Sequence, residues 1–94
     1  MVDKFFEWDD EKAFKNERDH GVAFKEARSV FQDSGRVELY DEGHSEEEGR
    51  YVAIGFSHQG LMLFVVFTPR DERIRLISAR VAEPDEEKIY EQNN

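Results

Sequence analysis

The hydrophobic pattern is strongest between residues 50 and 80, where three runs with β-like spacing follow one another. The runs cover residues 50–56, 61–68 and 73–80, and the linkers between them are short enough for hairpins. The middle run contains LMLFVVF and is apolar at both alternating sets of positions. This pattern predicts a central strand that is covered on both faces.

The N-terminal part of the chain has the spacing of helices. Acidic residues at 9–11 and a glycine at position 21 favour a helix over residues 10–19. A second helix is predicted to follow and to stop near residue 35. Its apolar face is expected to carry Phe24, Ala27, Val30 and Phe31. At the other end of the chain, Pro84 with the acidic residues after it favours a last helix.

The remaining segments complete an α+β order. Residues 4–8 are compatible with an edge strand, residues 36–40 alternate like a strand, and residues 41–49 are polar like an exposed loop. We therefore predict one α+β domain spanning residues 1–94. An N-terminal helix pair is expected to pack on a three- to four-stranded antiparallel β-sheet, with a C-terminal helix after it.

If both hairpins are tight, Phe56 pairs with Leu61 and Phe67 with Ile74, and this register assigns each strand residue to a sheet face. The predicted core face carries Val52, Ile54, Phe56, Leu63, Val65, Phe67, Ile74 and Leu76, and continues with Ser78 and Arg80. The predicted opposite face carries Tyr51, Ala53, Met62, Phe64, Val66, Thr68, Arg73 and Arg75. Arg75 and Arg80 are thus expected on opposite faces of the sheet.

Charge is distributed unevenly along this acidic chain. The 94 residues carry a formal net charge of −9, which taken alone argues against nucleic-acid binding. Residues 50–80 nevertheless hold five basic and two acidic residues, whereas residues 1–49 hold seven basic and fifteen acidic ones. All five basic residues of the middle segment are arginines, the side chain best suited to bidentate phosphate contacts.

These arginines have two interpretations. Solvated or salt-bridged arginine is common on sheets, where it reduces edge-to-edge aggregation and finds partners among surplus carboxylates. Alternatively, arginine with tyrosine and threonine on an apolar floor forms a site for a phosphate or a nucleotide. Periodicity does not separate the two.

Composition disfavours several other classes of protein. The absence of cysteine rules out a disulfide framework and a thiolate zinc site. The sequence has no apolar run long enough for a transmembrane helix, and its first ten residues lack the features of a signal peptide. We therefore expect a soluble protein of the cytoplasm.

An ordered set of short motifs runs through residues 5–91. It comprises Phe6-Glu7-Trp8-Asp9, Lys12-Ala13, Asn16, His20-Gly21-Val22, Phe24, Glu26-Ala27, Val30-Phe31, Asp41, His44-Ser45, Glu48, Arg50-Tyr51, Ile54-Gly55, Val65-Val66-Phe67-Thr68, Arg70, Ile74-Arg75-Leu76-Ile77-Ser78-Ala79-Arg80, Glu87 and Tyr90-Glu91. In this order the motifs resemble the BrnT-type ribonuclease toxins of bacterial type II toxin–antitoxin modules.

The resemblance implies a RelE-like fold and RNA cleavage that needs neither a metal nor another cofactor. It also implies neutralisation by BrnA, a ribbon-helix-helix antitoxin, in a heterotetramer. Since the antitoxin represses the operon in this family, DNA is expected to be contacted only through it. No membrane partner is expected.

Cleaving RNA without a metal uses the 2′-hydroxyl as nucleophile. The reaction needs a base, cations beside the phosphorane and an acid for the 5′ leaving oxygen. The candidates for phosphate stabilisation are Arg70, Arg75 and Arg80. The candidate bases are Glu48 and His44. The candidates for the acid or for base stacking are His20 and Tyr90.

Each candidate also has a purely structural interpretation. Glu48 fits a solvated loop, His44 a turn, and Tyr90 a core or interface position, while His20 suits the end of a helix. A Ser/His hydrolase built on Ser45 or Ser78 lacks a nucleophile elbow. A metal site of His44 with residues 46–48 lacks helical ligand spacing.

The chain also departs from the family pattern. Asp19 and Leu61 stand where basic residues are usual, and Ala23 replaces the serine that caps the second helix. The lost positive charge motivates an alternative function, in which a catalytically weakened toxin homologue binds the antitoxin as a regulatory module.

Overall fold

The computed structural model describes residues 1–44 and 48–94, and within them five strands form one mixed sheet. The strands are β1 (Phe6–Glu7), β2 (Val37–Tyr40), β3 (Tyr51–Phe56), β4 (Met62–Arg70) and β5 (Arg73–Val81). Their order is β1-β5-β4-β3-β2, so the apolar strand β4 is central, as predicted.

The prediction of a three- to four-stranded antiparallel sheet is wrong in two respects, because the sheet has five strands and is mixed. β1 pairs in parallel with β5, through Phe6 opposite Ile74 and Glu7 opposite Arg75, whereas the other neighbours are antiparallel. A two-residue strand is too short to show a period of two, and its direction depends on the long segment between it and β5. The sequence pattern therefore indicated an edge strand but not its parallel pairing.

The helices are α1 (Asp10–His20), α2 (Phe24–Ala27) and α3 (Pro84–Gln92). α1 matches its prediction: the Asp9 side chain accepts a hydrogen bond from the Lys12 backbone N–H, and Gly21 follows the helix with a φ of 71°. No helix in the part of the chain that the structure describes is long and apolar enough to cross a membrane.

The predicted second helix is shorter than expected. α2 is a single turn that continues as a 3₁₀-helix over Arg28–Gln32, so the helix pair is unequal. Ala23 occupies the N-cap without a side-chain hydrogen bond, as its methyl group requires. The 3₁₀ segment still buries Val30 and places Phe31 against the core, as the predicted face required.

α1 and α2 cover one face of the sheet and form the core with it. The core cluster comprises Trp8, Val22, Phe24, Ala27, Val30, Ala53, Leu63, Val65, Phe67, Leu76 and Ala79. Ala53 lies on this face, whereas Val52 and Ile54 do not, so the predicted faces of β3 are reversed. The cause is the first hairpin: its connection, which contains Gly60 with a φ of 80°, is one residue longer than predicted and pairs Phe56 with Met62 instead of Leu61.

α3 packs on the opposite face of the sheet, over β3. The Tyr90 ring meets the Phe56 ring edge-on at a centroid distance of 5.3 Å, and Ile54 beside it is fully buried. The sheet is therefore covered on one face by α1 and α2, and over part of the other face by α3.

A β-bulge in β5 changes which residues share that second face. Val66 pairs with Ser78 but the next residue, Phe67, pairs with Leu76, so Ile77 is the extra residue. One inserted residue reverses the alternation beyond it. Arg75 and Arg80 consequently lie on the same face, and the prediction that they lie on opposite faces is wrong.

The buried amide of Asn16 braces β5 beyond the bulge. It donates to the carbonyl oxygens of Ala79 at 2.8 Å and Val22 at 2.9 Å, and accepts from the Ala79 N–H at 3.0 Å. β1 ends before it reaches Ala79 on the edge of β5. The Asn16 side chain therefore supplies the backbone hydrogen bonds that a longer β1 would make there.

Candidate functional site

We call the sheet face that carries Arg70, Arg73, Arg75 and Arg80 the arginine face. Cross-strand partners share a face, and Arg70 pairs with Arg73, Thr68 with Arg75, and Phe64 with Arg80. Since Phe64 and Thr68 are four residues apart on β4, Arg75 and Arg80 are separated by about 13 Å along the strands. Ser78 lies between them, opposite Val66.

At one end of the arginine face, two arginines and two glutamates form a cluster. Arg75 Nη1 lies 2.8 Å from Glu7 Oε2, and Arg70 Nη1 lies 3.8 Å from the same oxygen. Arg70 Nε also donates to Glu48 Oε2 at 3.0 Å. Two candidate arginines and the candidate base Glu48 are thus neighbours, as a phosphate-cleaving site requires.

Glu7 is the member of this cluster that sequence reasoning missed as a site residue. It belonged to the motif at residues 6–9, but a two-residue strand gave no reason to place it beside Arg75. The parallel register of β1 with β5 does so directly. Its side chain is 16% exposed, against 48% for Glu48, so the two carboxylates differ sharply in their access to solvent.

The other end of the arginine face is a clamp around Arg80. Its Nη1 and Nη2 atoms each lie 2.8 Å from a Glu86 carboxylate oxygen, and Nη2 lies 3.3 Å from Glu83. The guanidinium also sits 4.2 Å from the centroid of the Phe64 ring. The hydrogen bonds that Arg80 donates to Glu86 raise the pKa of Arg80, so its charge is permanent.

Glu86 has a second task in the first turn of α3. Its carboxylate accepts the Glu83 backbone N–H at 2.7 Å, and the two glutamates form a reciprocal capping box. Burial opposes ionisation of Glu86, but the bonds from Arg80 and the Glu83 backbone outweigh it and lower the pKa of Glu86. The Arg80 clamp and the start of α3 are therefore one unit.

The arginine face is close to electrically balanced. Each of the three candidate arginines, Arg70, Arg75 and Arg80, pairs with at least one carboxylate from outside residues 50–80. The partners are Glu7, Glu48, Glu83 and Glu86. The salt-bridged interpretation of these arginines is thus confirmed in the free protein. Anion binding at the same face requires exchange of carboxylates for phosphates.

The remaining candidates lie in three separate places. His44 is exposed on the segment before β3, with Nδ1 3.0 Å from an Asp41 carboxylate oxygen. His20 is exposed at the end of α1, in the helix layer behind the sheet. Ser45, Glu46 and Glu47 of the hydrolase and metal alternatives lie outside the described residues.

Tyr90 belongs to a hydrogen-bonded latch at the far end of α3. Its hydroxyl donates to Asp33 Oδ2 at 2.9 Å, an oxygen that also accepts the Phe56 N–H at 2.8 Å. Burial and, after it, the bond to Asp33 raise the pKa of Tyr90, so the phenol stays protonated. The latch explains Tyr90 structurally, as the core-or-interface interpretation proposed.

The chain matches a protein family described as "Ribonuclease toxin, BrnT, of type II toxin-antitoxin system" over residues 8–86. Its structure is similar to the crystal structure of the Brucella abortus ribonuclease toxin BrnT, with a TM-score of 0.66 and 22% sequence identity. The similarity covers 84% of this chain and 97% of that chain, and at this identity it shows the fold alone. No curated protein sequence matches the chain. Since the family match spans well over half of the sequence, the chain belongs to the BrnT ribonuclease toxin family of type II toxin–antitoxin systems.

Proposed function

We propose that this member of the family is an active endoribonuclease that cleaves RNA on the arginine face without a metal ion. The observation that carries the proposal is the β-bulge in β5, which brings Arg80 onto the same face as Arg70 and Arg75. Three permanent positive charges along one sheet face match the regular charges of an RNA backbone.

The proposed chemistry is centred on the cluster around Arg70. Arg70 and Arg75 stabilise the negative charge that gathers on the phosphorane, as preorganised cations do in phosphoryl transfer. Glu48 accepts the proton of the attacking 2′-hydroxyl, because it is an exposed carboxylate already within hydrogen-bonding distance of Arg70. The products are a 2′,3′-cyclic phosphate and a 5′-hydroxyl.

His44 is the proposed acid. Its Nδ1 faces the Asp41 carboxylate, which fixes the ring and leaves Nε2 to protonate the 5′ leaving oxygen. His20 lies behind the sheet and the Tyr90 hydroxyl is bonded to Asp33, so both are less suited to this step. Arg80 contacts a neighbouring phosphate of the same strand, since it stands about 13 Å from Arg75.

RNA binding on this face is an exchange reaction. A phosphate reaches Arg70 by replacing Glu48, whose side chain is 48% exposed and is free to swing toward the 2′-hydroxyl. The same exchange brings the base to its substrate and the phosphate to its cation. In this scheme the internal ion pairs of the free protein mark where phosphates bind.

The balanced charge of the arginine face favours a second candidate function. Carboxylates that occupy all three candidate arginines weaken RNA binding, and the chain as a whole carries a net charge of −9. On this alternative the protein is a weakened toxin that serves as an antitoxin-binding module. For both functions we propose a basic ribbon-helix-helix antitoxin of the BrnA type, a heterotetrameric complex, and contact with DNA only through the antitoxin.

The test is cleavage of single-stranded RNA by the purified chain in EDTA, with Arg75→Ala as the site variant. Arg18→Ala is the matched control, because Arg18 is an exposed arginine of α1 paired with Asp19 behind the sheet. We expect 2′,3′-cyclic phosphate ends with the wild type and the control, and about a hundredfold less product with Arg75→Ala. Intact RNA with the wild-type chain at high concentration, together with tight antitoxin binding, would replace the first function by the second.

A further inference from the structure

Glu7 holds an unusual position among the carboxylates of the arginine face. Its Oε2 atom lies 2.8 Å from Arg75 and 3.8 Å from Arg70, so one oxygen is shared by two guanidinium groups. The side chain is only 16% exposed, and that of Arg75 is 29% exposed. Glu7 is therefore a fixed, partly buried anion between two cations, rather than a solvated partner of one.

The segment around Glu7 is anchored on both sides. Phe6 packs on the Phe31 ring at a centroid distance of 5.6 Å, and Trp8 is buried edge-on against Phe24 at 5.7 Å. The Trp8 N–H donates to the Met1 carbonyl oxygen at 2.9 Å, which ties the chain on the outer side of β1. Two aromatic anchors on the core face thus fix the backbone from which Glu7 reaches the arginine face.

Two guanidinium groups that converge on one phosphate repel each other before the phosphate arrives. A carboxylate between them offsets that repulsion and holds both side chains in rotamers from which they need little reorganisation. Glu48 cannot replace it, because Glu48 contacts Arg70 and is exposed enough to leave. The two glutamates of the cluster therefore have different tasks.

Resting on the ribonuclease function proposed above, we propose that Glu7 is a positioning residue that orients Arg70 and Arg75 toward one scissile phosphate. It touches neither the reacting atoms nor the leaving group. It stays bound to the arginines while Glu48 exchanges with the phosphate. No comparable residue holds Arg80 in place from the strand side, within the residues that the structure describes.

The kinetic test compares Glu7→Gln with Glu11→Gln, which makes the same change in charge at an exposed position of α1 paired with Lys15. We expect Glu7→Gln to lower kcat about tenfold or more with KM unchanged or lower, because misdirected cations bind RNA but stabilise the phosphorane poorly. Glu11→Gln should leave kcat unchanged. A Glu7→Gln variant with unchanged or increased kcat overturns the proposal, because Glu7 would then only screen the arginines.

A second measurement tests positioning without relying on catalysis. In the free wild-type protein, the NMR signals of the Arg75 Nη–H groups, which contact Glu7, are expected to be distinct and slow to exchange with water. In Glu7→Gln these signals should broaden or collapse toward the free-arginine position, while the Arg80 Nη–H signals, held by Glu86, stay unchanged. Unchanged Arg75 signals in the variant overturn the proposal. If wild-type protein leaves RNA intact but the signals respond as expected, the ribonuclease function fails and the positioning role survives.

Discussion

The two ends of the arginine face use the same chemistry on different supports. At the Glu7 end, two arginines share a carboxylate that is fixed by a strand, and the fourth member of the cluster, Glu48, comes from an exposed loop. At the α3 end, one arginine is clamped by the capping residues of a helix and by the Phe64 ring. A phosphate can enter the first end by displacing a loop carboxylate, but it can enter the second only by loosening α3.

The difference separates catalysis from binding. The Glu7 end joins two cations and a candidate base, so it has parts for the chemical step. The α3 end has one cation whose partner, Glu86, is 14% exposed and also caps a helix. Loss of function at the first end should therefore appear in kcat, and at the second end in KM.

The largest expected effect comes from replacing one arginine at each end by alanine. Arg75→Ala should reduce kcat by about a hundredfold or more, because it removes a charge from the phosphorane. Arg80→Ala should mainly raise KM and reduce the salt dependence of RNA binding by about one phosphate contact. Steady-state cleavage assays at several salt concentrations measure both quantities. Equal losses of kcat in the two variants would show that the ends form one catalytic site.

The next effect concerns the brace that fixes β5 between the two ends. Asn16→Ala leaves the Ala79 N–H and C=O and the Val22 C=O without their partner. We expect a loss of about 2–3 kcal/mol in the free energy of unfolding, because these groups are buried. Urea denaturation measures this loss. Asn16→Asp keeps the acceptor for the Ala79 N–H, and it should recover part of the lost free energy of unfolding only below the pKa of the new carboxyl. An unchanged free energy of unfolding in Asn16→Ala would show that the Asn16 side chain does not stabilise β5.

A smaller change should open the α3 end. Glu86→Gln removes the charge that holds Arg80 but keeps an oxygen for the capping box, since glutamine serves at this position. RNA affinity should rise several-fold, which is modest because the pair is partly solvated. Glu87→Gln, an exposed neighbour on α3 with the same change in charge, is the control. Fluorescence anisotropy with labelled RNA measures the affinity. An equal rise in affinity in the two variants would show that the lower net charge, and not the release of Arg80, causes the effect.

The smallest effect is a pH dependence of the latch at the far end of α3. Burial disfavours the Asp33 carboxylate, but bonds from the Phe56 and Gly35 N–H groups and the Tyr90 hydroxyl outweigh it and lower the pKa of Asp33 below that of an ordinary aspartate. A lowered pKa contributes stability that is present above the unfolded value and is lost as the pH falls through the folded value. Thermal melts from pH 6 to pH 2 should show this loss, and Asp33→Asn should flatten it. An unchanged profile in Asp33→Asn would assign the acid loss to other carboxylates.

The elements of the fold were largely predictable, because they depend on local patterns. Asp9 and Gly21 mark the two ends of α1, and Pro84 marks the start of α3, because these residue types are preferred at helix ends. The register was not predictable, since one residue in the turn at Gly60 reversed the faces of β3. The bulge at Ile77 had no signal in the sequence, because the run IRLISAR is compatible with regular alternation. The RelE-like assignment stays a prediction.

The site was predictable as a set of residue types but not as an arrangement. Glu48, Arg70, Arg75 and Arg80 were identified from charge and resemblance, and the structure places them on or beside one face. Glu7 was missed because its neighbour, Arg75, is 68 residues away in the sequence. Pairing between distant segments, which decides where arginines meet carboxylates, leaves little trace in a single sequence.

Every step of the proposed cleavage requires that RNA bind to the arginine face. The most direct measurement is an NMR titration of the wild-type protein with an uncleavable oligonucleotide that carries 2′-deoxy at the scissile position, observing the arginine Nε–H signals. We predict that the signals of Arg70 and Arg75 shift together at the lowest concentrations and that Arg80 follows. Shifts confined to Arg18 and Arg28 in the helix layer, with the arginine face unchanged, would contradict RNA binding on the arginine face.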